Sequence, residues 1–144
     1  MGTIYDLMLS LFGMDLAEHM WGWWEPDGNF TKQNLFNLVG IMLIGTSLFF
    51  VLSFYFVINH PRFNRWYHWI LLAILTFFCN LFIGFSIPYA DLVNQNISPD
   101  LTFTYTNCLG FGLVNAFYSL ILFIILSFIF RWWSKNCSTC PIPN

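Results

Sequence analysis

The chain has 144 residues, of which 58% are hydrophobic, 22% aromatic and only 8% charged, against about a quarter charged in ordinary soluble domains. So little polar surface excludes a soluble globular fold. A net charge of −2 offers no basic face to nucleic acid, and too few residues lie outside the apolar runs to build a separate soluble domain.

The first 20 residues, Met1 to Met20, lack the basic start and small-residue cleavage site of a secretory signal, and are expected to remain in the mature protein. In helical projection Thr3, Asp6, Ser10 and Gly13 share a narrow polar stripe, and Ile4, Leu7, Met8, Leu11 and Phe12 spread over the apolar remainder. This predicts an amphipathic helix over 1–20, lying in the membrane interface or against the bundle. A fourth span is the alternative. Asp15 and Glu18 weigh against it, because an ionised carboxylate near the bilayer centre costs about 2.5–3.5 kcal/mol on insertion scales.

Trp21, Trp23 and Trp24 follow as interfacial anchors, and Glu25, Pro26, Asp27, Gly28 form a turn. Thr31 or Asn34 then caps the first of three runs free of Asp, Glu, Lys and Arg: 35–58, 66–88 and 109–130. Each exceeds the roughly 20 residues a helix needs to cross about 30 Å of hydrocarbon. Asn59, His60, Pro61 end the first, since proline disfavours helix in the residue before it. Pro88 is expected to kink or end the second, and the connection from Asn94 to Pro99 is polar and irregular. The expected fold is therefore an all-α integral membrane protein, one membrane domain over 1–144, with three transmembrane helices, the N-terminal amphipathic helix and a tail over 131–144.

Orientation follows from the basic residues. Arg62 and Arg65 lie between the first two runs, and Arg131 and Lys135 follow the third, whereas the connection after the second run has Asp91 and Asp100 but no cation. The positive-inside rule puts the 59–65 turn and the C-terminal tail in the cytoplasm. Trp66, Trp69, Trp132 and Trp133 would anchor that face, with Arg62, Arg65, Arg131 and Lys135 extending their charges toward water.

Within the runs the informative residues are small or polar. Ala73, Thr76, Asn80 and Gly84 recur at i, i+3, i+7, i+11, and Cys108, Gly112, Asn115 and Ser119 at i, i+4, i+7, i+11, with Ala116 beside them and Ser127 two turns on. Each set marks one helix face. Thr76, Asn80, Gly84, Gly112, Asn115 and Ser119 are thus candidate helix-packing or pore-lining residues. An amide on a facing helix offers a hydrogen bond that lipid cannot, and neutral polar groups can also replace part of an ion's hydration shell. The first run is less patterned, with Asn37, Gly40 and Ser47 near one face and Gly45, Thr46 and Ser53 elsewhere.

Chemistry is sparse. No Asp, Glu, Lys or Arg interrupts the three runs and no histidine lies in their cores, which opposes a proton pump or a charged-solute carrier, and no serine or threonine there has a histidine at helical contact spacing. An enzyme is not expected, nor is any cofactor. His60 and His68 sit at one membrane edge and are taken as interfacial hydrogen-bonding groups rather than haem ligands. Cys137 and Cys140 form C-x-x-C, which half-fills a zinc shell, so no metal site is expected.

Asn59, His60, Pro61, Arg62, Phe63, Asn64, Arg65, Trp66, then Gly110, Phe111, Gly112, Asn115, Ala116, and finally Arg131, Trp132, Trp133, Ser134, Lys135, Asn136, Cys137 resemble small uncharacterised Bacteroidota-type integral membrane proteins. The resemblance covers the spans and the basic turn, and implies a bacterial inner membrane without implying a reaction. In architecture alone the chain is similar to small membrane effectors of bacterial defence systems. The functional expectation is a homo-oligomeric pore or channel-like protein in contact with the lipid bilayer, possessing no nucleic-acid partner and able to perturb membrane potential. The alternative is a non-conducting structural or assembly subunit that binds another membrane protein.

Overall fold

The computed structural model describes residues 2–22, 34–57, 66–97 and 100–132. Among them there is no strand. Short helices α1 (Gly2–Tyr5), α2 (Leu9–Phe12) and α3 (Met14–Trp21) precede three long ones: α4 (Leu35–Leu52), α5 (Trp66–Val93) and α6 (Tyr105–Arg131). A turn of 3-10 helix, Asp6–Met8, joins α1 to α2, and a π-helical turn, Ser53–Val57, extends α4. The chain is an all-α membrane protein. Three stretches, Leu35–Phe56, Trp66–Val93 and Tyr105–Arg131, are long and apolar enough to cross a bilayer, where only a helix satisfies its own backbone polar groups.

Two boundaries differ from the sequence expectation. Helix α5 does not end at Pro88 but continues to Val93. Proline removes one donor from the i to i−4 ladder, a loss that the five residues beyond it survive. Helix α6 starts at Tyr105 rather than Leu109, because its first turn is capped. The Thr104 backbone N–H donates to Asn107 Oδ1 (3.0 Å), and the Thr104 hydroxyl donates to the same oxygen (2.7 Å). A side chain three residues into the helix thereby reaches back to the residue before it, as in a capping box. At α4 the cap is Asn34, whose Oδ1 accepts the Asn37 N–H at 3.2 Å. Thr31, the other candidate, lies outside the described residues.

The N-terminal segment is not one helix. Gly13, at φ 86° and ψ 157°, breaks it between α2 and α3, in a backbone region that L residues rarely adopt. The projected polar stripe therefore does not continue through Gly13. Tyr5, Phe12, Leu16, Ala17, His19 and Met20 are buried, while Ile4, Leu7, Leu11 and Met14 are exposed. The helical stretch Gly2–Phe12 and the eight-residue α3 each fall short of the roughly 20 residues a crossing requires. Neither forms a fourth span.

The chain divides into two compact units: Met1–Met42 with Leu81–Asn115, and Leu43–Asn80 with Ala116–Asn144. The core of the first is aromatic. Tyr5 stacks on Phe36 (centroids 5.3 Å) and lies 5.2 Å from Phe111, which meets Phe12 and Phe36 edge-on at 5.4 and 5.8 Å. The core of the second is Val51, Phe54, Tyr55, Ala73 and Phe123, with Trp69 and Leu120 packed against it.

Candidate functional site

The small and polar residues of the two stripes are buried. Thr76, Asn80, Asn115, Ser119 and Ser127 have no exposed surface, and Gly84 and Gly112 are buried.

In the first unit the stripe works by close approach. A Cβ added to Gly84 would stand 2.9 Å from Asn115 Cβ and 3.0 Å from Gly112 Cα, and one on Gly112 would stand 2.9 Å from the Leu81 carbonyl oxygen. Helices α5 and α6 touch backbone to backbone here, which only glycine allows. The N-terminal segment closes over the same region of α6. The Tyr5 hydroxyl donates to Asn115 Oδ1 at 2.7 Å, and Asn107 Nδ2 donates to the Phe12 carbonyl at 2.8 Å. At Gly110 any side chain would run into the Leu11 carbonyl oxygen.

In the second unit the stripe works by hydrogen bonds. Asn80 Nδ2 donates to the Thr76 carbonyl (3.0 Å), and the Thr76 hydroxyl donates to the Leu72 carbonyl (2.8 Å). The Thr46 hydroxyl of α4 lies 3.1 Å from Asn80 Oδ1 and 3.2 Å from the Leu43 carbonyl, so one proton serves two acceptors. Ser119 donates to the Ala116 carbonyl (2.7 Å). The Trp69 indole N–H donates to Ser127 Oγ at 3.0 Å, so this half-buried tryptophan also ties α5 to α6. Trp66 and Trp132 are exposed at helix ends, and Arg131 is the last residue of α6. Trp23, Trp24, Arg62, Arg65, Trp133 and Lys135 lie outside the described residues, as do His60, Cys137 and Cys140.

Spacing within a helix reveals the stripes but not their partners on other segments. The roles of Tyr5, Thr46 and Asn107 as partners are not visible in the spacing for that reason. Neither is a hydrogen-bonded pair of His19, wholly buried on α3, and Asp91 in the last turn of α5, with Nε2 3.1 Å from Oδ2. The Phe103 ring packs at 5.1 Å from the imidazole, and the Thr102 hydroxyl donates to Asp15 at 3.3 Å. The N-terminal segment is thus held to α5, to α6 and to the connection between them by polar contacts that no local pattern encodes. Among the described residues no group of three or more His, Cys, Asp or Glu side chains is placed to hold a metal ion.

Scans against protein-family models, curated proteins and solved structures find no match to this chain.

Proposed function

We propose that this membrane protein is a non-conducting structural or assembly subunit, which packs its polar residues within itself and presents apolar helix faces to lipid and to a partner membrane protein. One observation carries this reading. Asn80 and Asn115, the groups best suited to line a shared lumen, are buried inside a single chain and bonded to Thr46, Thr76 and Tyr5. A lumen formed between copies would need them on the outer surface. That surface carries instead Ile41 and Phe49 of α4, Phe78 and Phe82 of α5, and Phe117 and Phe128 of α6. The homo-oligomeric pore expected from sequence accordingly has less support. The distribution of lysine and arginine supports placing the C-terminus in the cytoplasm, and the resemblance to small bacterial membrane proteins supports an inner-membrane location.

Reconstitution tests the proposal. Liposomes containing the protein are expected to hold an ion gradient as long as protein-free liposomes. A protein-dependent ion flux that Asn80→Leu or Asn115→Leu abolishes, in variants that still fold, would restore the pore reading.

A further inference from the structure

We infer that the N-terminal segment carries a binding groove for a small amphiphilic organic cation, an inference independent of the structural-subunit reading. The break at Gly13 leaves an open groove of about 390 Å³ lined by Asp6, Leu9, Met14, Ala17, Glu18 and Trp21. Its size falls within the range of small-ligand sites, roughly 300–1,000 Å³. The floor is apolar. Asp6 and Glu18 are exposed, and neither carboxylate is engaged by a hydrogen bond or ion pair among the described residues. Trp21 supplies the ring that binds cations best, and its indole is backed edge-on by Phe36 at 5.7 Å.

Charge complementarity decides the occupant. The residues before α4, 1–34, hold five of the chain's seven acids against a single lysine, Lys32, and no arginine. The one basic side chain on α3, His19, is buried and committed to Asp91, so it cannot neutralise the groove. An anion would meet two carboxylates, and a neutral apolar molecule would gain nothing from them. A cation bearing an apolar group satisfies both parts: its charge lies among Asp6, Glu18 and the indole face, and its apolar body covers Leu9, Met14 and Ala17. The exposed side chains of Leu7 and Leu11 on the same segment suit it to the membrane interface, where amphiphilic cations accumulate.

The test uses phenyltrimethylammonium as the probe and benzenesulfonate as its anionic counterpart, with the full-length protein in a neutral maltoside micelle. Saturation-transfer NMR and equilibrium dialysis read binding. Saturable binding of the cation is expected at about 0.1–10 mM, weakening as salt rises, with none of the anion. The double variant Asp6→Asn/Glu18→Gln is expected to lose at least about 5-fold in affinity, and Trp21→Leu a similar factor. Asp100→Asn removes one negative charge from an exposed position outside the groove and is expected to bind as the wild type does. Because Asp6 and Glu18 are exposed, their variants keep the fold even where Trp21→Leu does not. Equal binding of cation and anion, unchanged affinity in the double variant, or an equal loss in Asp100→Asn would each overturn the proposal.

Discussion

The two units solve the same packing problem differently. Along α5 and α6 the small and polar residues form what looks in sequence like two uniform stripes, yet their two ends are used in unlike ways. In the first unit Gly84 and Gly112 are places where no side chain fits, and contact is between backbones. In the second, glycine gives way to Thr76, Asn80, Ser119 and Ser127, which return hydrogen bonds to carbonyls one turn back or reach a neighbouring helix. Steric fit tolerates no added atoms, whereas a hydrogen-bonded seam has alternatives when one bond is lost. Substitutions should therefore be far more damaging in the first unit than in the second.

The widest gap is expected at Gly112. Leucine there should cost about 3 kcal/mol and alanine about 1–3 kcal/mol, because the nearest atom to the new Cβ is a backbone oxygen that cannot swing away. Unfolding in a mild detergent, followed by circular dichroism, measures this. A Gly112→Ala protein as stable as the wild type would remove the steric half of the comparison.

The asparagines sharpen it. Asn115→Leu abolishes the buried bond from Tyr5 and alters the side chain against which Gly84 packs, so about 1–2 kcal/mol should be lost. Asn80→Leu should cost only about 0.6 kcal/mol, since the Thr46 hydroxyl keeps the Leu43 carbonyl as an acceptor. The order of the two losses in the same unfolding assay is the informative result. A larger loss at Asn80 would reverse the comparison.

Ser47 gives the smallest effect. Its hydroxyl is buried and makes no hydrogen bond among the described residues, so Ser47→Ala should change stability by no more than about 0.5 kcal/mol, toward greater stability if at all. A clear destabilisation would mean that this hydroxyl serves a partner.

What was legible in the sequence was whatever repeats locally. Uncharged runs announce spans, and residues three and four apart announce a face, so Asn80 and Asn115 stand out in the sequence. Their partners were not legible, because Thr46 and Tyr5 lie 34 and 110 residues away. The pair of His19 and Asp91, 72 residues apart, was hidden for the same reason. Two misses had local signals. Thr104 and Asn107 have the spacing of a capping pair and could have moved the start of α6 from 109 to 105. Gly13 followed closely by Asp15, an acid in a first helical turn, could have marked a break instead of a continuing stripe. The continuation past Pro88 had none, since local rules favour a stop there.

Solvent access to the middle of α6 bears most directly on the claim that the polar stripes are dry internal seams. In a protein whose native cysteines are replaced, Ser119→Cys, almost isosteric with the buried serine, is treated with a charged, membrane-impermeant thiol reagent in sealed membranes opened to either side. We expect Ser119→Cys to remain unmodified over the time in which Trp132→Cys, at the exposed end of α6, reacts to completion. Modification of Ser119→Cys at a comparable rate would place water along the stripe and contradict the account.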